Sequence, residues 1–302
     1  MRILITGHMG FVGRHFMKSL RGDGHYICGL DLQNGMDCRD FFKEASPRQQ
    51  FDLVIHLAAI VGGRQNIDKN PLSVATDLSI DAEMFNWFKR TNQRGKLVYF
   101  SSSAAYSVLF QRKLIWQPLN EDMLNFVGKN GTHVDWIGRP DMSYGWSKLT
   151  GEYLSSFLQS EQVLIFRPFS GYGEDQDLTY PFPSFIRRGI QRQNPFEIWG
   201  DGNQIRDFIH IDDIVDATLL AVESNMSGVY NLGTGVPTSF IDLANKVCSQ
   251  IGYEPSFDFK LDNPVGVYGR VADISKMKTF YSPKVSLEEG ITRSIYENTY
   301  RF

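Results

Sequence analysis

The chain has 302 residues, 42% of them hydrophobic and 22% charged, and a net charge of −3; this is the composition of a globular protein with a real core. A pI near 6.1 leaves no basic field for nucleic acid or an anionic membrane surface, so any anionic ligand must be held by a few placed groups. Three cysteines, Cys28, Cys38 and Cys248, lack metal-ligand spacing and suit a reducing cytoplasm, and no metal site is expected.

The first predicted strand begins at Arg2, so no signal peptide is expected, and no apolar run reaches membrane-spanning length. In chain order, strands are predicted at Arg2–Thr6, Tyr26–Asp31, Leu53–Ala58, Leu97–Ser102, Val163–Pro168 and Gly228–Gly233. Helices are predicted at Phe11–Arg21, Ser73–Thr91, Tyr144–Gln159 and Asp212–Ser224. Short apolar runs alternating with amphipathic ones describe a parallel sheet with crossover helices. Gly, Pro and aromatic residues crowd Ser170–Gly202, and the stretch from Glu254 onward reads as similarly irregular. The reading is therefore an α/β doubly wound sheet over residues 1–169 plus about 207–235, with a smaller, discontinuous substrate domain over about 170–206 plus 236–302.

Gly7-His8-Met9-Gly10-Phe11-Val12-Gly13 follows the first strand and opens the first helix. Gly7 permits a tight turn, Gly10 lets backbone approach a pyrophosphate, and Gly13 lets helix pack on strand. The helix N-terminus then offers free N–H groups to that anion. Asp31 closes the second strand, 18 residues past Gly13, where a carboxylate would accept from the adenosine ribose hydroxyls. It would also repel a 2′-phosphate, so NAD is favoured over NADP. This is a Rossmann arrangement. His8 and His15 are expected to face solvent.

Tyr144-Gly145-Trp146-Ser147-Lys148 opens the third predicted helix, and residues four apart share one helix face. An ammonium near a phenol lowers the phenol's pKa toward neutrality, which supplies a base for a substrate hydroxyl. Tyr99-Phe100-Ser101-Ser102-Ser103-Ala104-Ala105-Tyr106 ends the fourth strand in a hydroxyl cluster, at the edge where ligands of open parallel sheets sit. The same serines equally suit a turn.

The glycine turn, His56-Leu57-Ala58-Ala59, the serine cluster and Tyr144/Lys148 together resemble the extended short-chain dehydrogenase/reductase family. Within it they are similar to the NAD-dependent epimerase/dehydratase group that acts on nucleotide sugars. Arg167-Pro168-Phe169, Tyr172-Gly173, the run from Trp199 to Phe208 and Val271-Ala272-Asp273 resemble its substrate-domain signatures, so the likeness runs from Met1 to about Gly290. It implies that Gly7, Met9, Gly10, Phe11, Val12, Gly13 and Asp31 bind NAD. Asp37 and Cys38 would lie near adenine, Leu57, Ala58 and Ala59 beside the diphosphate and ribose, and Pro168 near the nicotinamide amide. Lys148 would bind the nicotinamide ribose and tune Tyr144.

Counting back from Tyr106 in the family's Ser-x-x-x-Tyr pattern selects Ser102 as the catalytic serine; aligning on Ser-Ala selects Ser103. Arg206 matches the substrate arginine that would clamp a UDP- or GDP-linked diphosphate bidentately, with Ser103, Ser170 and Arg270 as further substrate contacts. The implied activity is 4-epimerisation through a transient 4-keto sugar, with a homodimer formed by pairing the Ser73–Thr91 and Tyr144–Gln159 helices. The alternatives are a net 4-dehydrogenase or 4-ketoreductase, a dehydratase, and a regulator that senses dinucleotide without turnover.

The sequence departs from the family pattern in places. Ser170 and Asp77 stand where the family commonly has Asn, and the late arginine element is altered around Asn263-Pro264-Val265-Gly266. Ser102 and Tyr144 are 42 residues apart, and the extra segment Ser107–Met142, with Trp116 and Trp136, is either a specificity loop or a surface excursion. Ser103-Ala104 lacks the acidic pair of dehydratases, and Ala104 replaces the cysteine of 3,5-epimerases, whereas Val61-Gly62-Gly63 resembles a loop of GDP-sugar enzymes.

Overall fold

The computed structural model describes residues 1–63, 69–124, 126 and 138–299; Trp136 lies outside the described residues. Up to Pro168 the elements are β1 (Arg2–Thr6), α1 (Phe11–Ser19), β2 (Tyr26–Leu30), α2 (Cys38–Glu44), β3 (Leu53–His56), α3 (Ser73–Arg90), β4 (Lys96–Phe100), α4 (Met142–Ser155) and β5 (Val163–Pro168). Next come β6 (Ser170–Tyr172), α5 (Pro181–Ile190), β7 (Phe196–Trp199), β8 (Ile205–Arg206), β9 (Phe208–His210), α6 (Ile211–Glu223) and β10 (Gly228–Leu232). The chain continues through β11 (Thr238–Ser239), α7 (Phe240–Ile251), β12 (Phe257–Lys260), β13 (Gly269–Arg270) and α8 (Leu287–Asn298).

Among the described residues, the large sheet runs β10-β5-β4-β3-β1-β2, every neighbour parallel, which is the expected Rossmann architecture. Side chains alternate across a strand, so Ile3 and Ile5 enter one core with Phe16 and Ile214. Leu4 enters the opposite core with Phe42, Trp87 and Phe88. A sheet buried on both faces explains the unbroken apolar runs. The chain leaves this sheet after β5 and returns through α6, after which Leu232 of β10 sits in register with Pro168.

A third core unites Phe182, Phe185, Phe196, Phe240, Leu243, Val247 and Ile291 from the C-terminal half. The buried Asp207 carboxylate fastens the crossing point: it accepts from Thr234 N and Oγ1 (2.7 Å each), Gly235 N (3.0 Å) and Ala272 N (3.0 Å).

The region expected to be irregular holds two helices, which corrects the sequence reading. α5 starts on Pro181, a residue that helices accept at their first position, and α8 is capped by Ser286 with Glu288 and Glu289 in its first turn. Segment Ser107–Met142, where described, is bound to the C-terminal half. Leu119 N donates to Val271 O (2.9 Å), Asp273 N to Leu119 O (2.9 Å) and Tyr268 N to Gln111 O (3.0 Å). Among the described residues, no helix is long and apolar enough to cross a membrane.

Candidate functional site

The glycine turn is shaped by close backbone approach. Gly7 adopts φ +69, and its N–H donates to Leu30 O at 2.7 Å. A Cβ on Gly13 would stand 2.2 Å from Gly7 O, and one on Gly7 would stand 3.0 Å from Ala58 N. Gly10 caps α1 with no side-chain bond, and the first turn carries no acidic residue, so no side chain competes with an anion for the N–H groups there. Asp31 Oδ2 accepts from Met9 N and Oδ1 from Gln33 N, each at 2.9 Å, which braces the turn against the end of β2. Leu57 N and Ala58 N both donate to Thr6 Oγ1 at 3.2 Å. A turn with no space for side chains, facing an uncapped helix start, fits a dinucleotide diphosphate.

Asp37 caps α2 through Arg39 N (2.9 Å) and pairs with the Arg39 guanidinium at 2.5 Å, which holds its carboxyl below the usual range. Cys38 is buried, and burial pushes its thiol up to about 12. The two histidines near the turn correct the sequence reading. The His8 ring packs where a Cβ on Gly29 would stand, 2.6 Å away, and His15 Nε2 meets Asp175 Oδ1 at 2.9 Å. Packing at the turn overrides their polarity.

At the carboxyl ends of β4 and β5 the structure brings Ser102, Tyr144 and Lys148 together. Ser102 Oγ accepts from Ala104 N at 3.1 Å, while Ser103 is 4% exposed within the following turn. Lys148 is 3% exposed, its Nζ 5.7 Å from the Tyr144 ring centroid and 5.2 Å from that of Tyr99. Beneath it, α3 presents two carboxylates one turn apart. Asp81 accepts from Tyr99 Oη (2.6 Å) and contacts His56 Nε2 (3.1 Å); His56 Nδ1 meets Thr6 Oγ1 at 2.9 Å. Asp77 Oδ1 accepts from Ile60 N at 2.6 Å. A buried chain of polar groups thus joins Tyr99, over whose ring Lys148 Nζ sits, to Thr6, the residue that precedes Gly7.

Burial, and after it these carboxylates, work against the expected tuning of Tyr144. Its phenol is pushed up by burial, then by the Asp77 and Asp81 charges, with only the Ser102 hydrogen bond opposing. Burial raises Asp77 against the pull of Ile60 N–H and Lys148. Burial would also raise Asp81, but Lys148, His56 and Tyr99 outweigh it and hold it low. The Lys148 charge therefore favours the ionised forms of Asp77 and Asp81, while burial first of all favours the protonated Tyr144 phenol. Asp81 and the role of His56 were not legible from spacing, because the partners come from four different elements. Tyr180, just before α5, is a further residue that sequence reasoning passed over; burial and then the Tyr144 charge raise it.

The remaining candidates lie on the C-terminal side. Pro168 ends β5, and Ser170 N donates to Asp207 O at 2.9 Å. Arg206 is half-buried, its guanidinium on Ile205 O (2.8 Å) and Val265 O (3.2 Å) and 5.4 Å from the Phe240 ring centroid. Arg270 is ion-paired to Asp141 at 2.7 Å. Arg167, from the Arg-Pro-Phe motif, is fully buried and forks onto Glu152 at 2.9 and 2.7 Å, so it locks α4 to β5.

Comparison with known proteins agrees with this geometry. Residues 3–233 match the model of the NAD dependent epimerase/dehydratase family. The chain is 28% identical, over 97% of both chains, to a UDP-glucose 4-epimerase-like protein of Methanocaldococcus jannaschii. It is 26% identical to a dTDP-4-dehydro-6-deoxy-D-allose reductase of a Streptomyces species, over 91% of this chain and 89% of the other. A single-residue variant of a UDP-glucuronic acid 4-epimerase from Bacillus cereus, solved with a fluorinated UDP-glucuronic acid and NAD, superposes over 100% of this chain and 99% of its own with a TM-score of 0.80 and 26% identity.

Proposed function

The chain belongs to the NAD dependent epimerase/dehydratase family, and on that premise we propose that it is a nucleotide-sugar 4-epimerase. The substrate is a UDP- or GDP-linked sugar whose C4 hydroxyl is oxidised to a transient ketone and reduced again on the other face. The observation that carries this reading is the Lys148 ammonium beside the Tyr144 ring, on a helix whose first turn is pressed against Ala104, two residues after Ser102.

NAD lies along Gly7, Met9, Gly10, Phe11, Val12 and Gly13, with Asp31 on the adenosine ribose, Leu57, Ala58 and Ala59 beside the diphosphate, and Asp37 and Cys38 toward adenine. Bound there, with Pro168 and Lys148 at its nicotinamide end, it supplies reversible two-electron chemistry at the sugar C4 carbon. Tyr144 holds or takes the proton of the C4 oxygen, Ser102 hydrogen-bonds that oxygen, and Lys148 keeps the phenol's surroundings from becoming wholly anionic. Ser103 and Ser170 border the sugar, and Arg206 meets the diphosphate. In this reading residues 1–169 with about 207–235 hold the dinucleotide, and about 170–206 with 236–302 hold the nucleotide sugar. We also propose a cytoplasmic homodimer in which a second copy covers the exposed Trp146, Tyr153 and Phe157 side chains of and just after α4; a monomeric mass by light scattering at micromolar concentration would remove that part.

A second reading, net 4-ketoreduction, is supported by the likeness to a dTDP-4-dehydro-6-deoxy-D-allose reductase. One experiment separates the two. The protein, with NAD and then with NADH, is incubated with UDP-, GDP-, CDP- and dTDP-sugars, and products are resolved by NMR while NADH absorbance is followed. An epimerase inverts C4 with no net NADH change; stoichiometric NADH change identifies the reductase or dehydrogenase. NAD binding without turnover of any sugar, and with Tyr144→Phe indistinguishable from wild type, leaves the dinucleotide-sensing regulator.

A further inference from the structure

We propose that Arg270 is a positioning residue, whose guanidinium ties the segment that follows Ser102 to the helix that carries Tyr144. It thereby makes the C-terminal half part of the catalytic geometry.

The argument is one of connectivity. Arg270 lies on β13, in register with Arg206 on the adjacent β8. Its Nη2 donates to Asp141 Oδ2 at 2.7 Å and its Nε to Gln111 Oε1 at 2.6 Å. The planar fork of Arg favours this kind of two-partner contact. The ion pair is largely withdrawn from water, the two side chains being 13% and 10% exposed.

Each partner leads straight to the site. Asp141 stands immediately before α4; its N–H donates to Ala104 O at 2.9 Å and its carbonyl accepts from Gly145 N at 3.0 Å. Gln111 is fully buried and donates through Nε2 to Tyr106 O (3.2 Å) and Ser107 O (3.1 Å). Both branches therefore end on the few residues after Ser102, one of them passing through the turn that presents Tyr144.

Two features make that turn sensitive. Met142, between Asp141 and Tyr144, adopts φ +59, a left-handed conformation that non-glycine residues rarely take and that persists only when its surroundings hold it. Gly145 is pressed so closely on Ala104 that a Cβ would lie 2.4 Å from Ala104 O. Any slip of the start of α4 is therefore a slip of Tyr144 against Ser102. Arg270 is committed to these two partners, which distinguishes it from a diphosphate ligand, and its neighbour Arg206 on the paired strand is the residue proposed for that task.

The test compares Arg270→Met, Arg270→Lys and Asp141→Asn with wild type, using UDP and GDP as binding probes by calorimetry. Steady-state kinetics use the nucleotide sugar found in the panel above, and the kinetic arm rests on that reading. The expected result is a fall in kcat of roughly 10- to 100-fold for Arg270→Met and Asp141→Asn, with nucleotide affinity and KM changed by less than about threefold and partial retention of kcat in Arg270→Lys. Amide exchange should speed up in residues 103–107 and 141–146 while β1 to β3 keep wild-type protection. The proposal is overturned if Arg270→Met weakens UDP or GDP binding more than about tenfold while Asp141→Asn keeps wild-type kcat, which would make Arg270 a phosphate ligand. It is equally overturned if exchange in the two segments is unchanged. Should Arg270→Met not fold, the kcat-against-KM split and exchange of Arg270→Lys and Asp141→Asn decide it. If wild type turns over no nucleotide sugar, the proposed function fails while the exchange arm still reads the tie.

Discussion

The two parts of the candidate site are built from different materials. At the glycine turn the decisive contacts are between backbone atoms: Gly13 against Gly7, Gly7 against Ala58, Gly7 N–H on Leu30 O. At the Tyr144 end they are between ionisable side chains drawn from β3, β4, α3 and α4, with one ammonium facing two buried carboxylates. A site made by excluding side chains tolerates almost no addition, yet it carries little charge to unbalance. A site made of compensating charges tolerates changes of shape, but the loss of one partner leaves the others exposed to the low dielectric of the interior.

Removing Lys148 should produce the largest effect. Lys148→Met removes the cation whose charge favours the ionised Asp77 and Asp81, and buried charge left without that compensation should lower stability. Urea unfolding at neutral pH measures this, and a variant as stable as wild type would mean that the carboxylates are not balanced by Lys148. The loss should shrink as acid protonates Asp77, whose raised pKa makes it the first of the pair to take a proton.

Gly13→Ala comes next. Its added Cβ would fall 2.2 Å from a backbone oxygen, and such overpacking costs about 1–3 kcal/mol together with most of the NADH affinity. Fluorescence titration with NADH and urea unfolding read the two consequences. Retention of wild-type affinity would erase the contrast between the two parts.

Asp77→Asn should have the smallest effect and the most specific one. The amide keeps an oxygen for Ile60 N–H, now 2.6 Å from Asp77 Oδ1, so the fold should persist. The Asp77 charge raises the Tyr144 pKa; removing it makes the phenolate easier to form, so the limb of the kcat/KM profile that reports Tyr144 ionisation should move to lower pH. An upward move, or none, would show that Tyr144 does not sense the α3 carboxylates. Tyr144→Phe sets the scale for all three, with turnover expected to fall about 10²- to 10⁴-fold while NADH binding stays within threefold.

Much of the N-terminal half was legible in the amino-acid order. Arg2–Thr6 and Val163–Pro168 are strands with the same limits in sequence and structure, because short β-rich runs bounded by turn residues announce themselves locally. The glycine turn was readable for the same reason, all its parts lying within a few residues. α5 and α8 were missed because Pro181 and Pro183 obscure one and a thin apolar stripe carries the other. Ser102 and Ser103 could not be separated from spacing, since both belong to one turn, in which Ser102 Oγ accepts from Ala104 N and Ser103 is buried.

The amino-acid order alone settled the features whose causes are local: the alternating strands and helices, the side-chain-free turn that opens α1, and Tyr144 and Lys148 on one helical face. Only the tertiary structure decided the electrostatic state of that face. The field at Tyr144 sums charges from Asp77 and Asp81, with His56 and Tyr99 bonded to Asp81, on segments that meet only when the sheet is assembled. Coulomb interactions depend on distance and burial and not on separation along the chain.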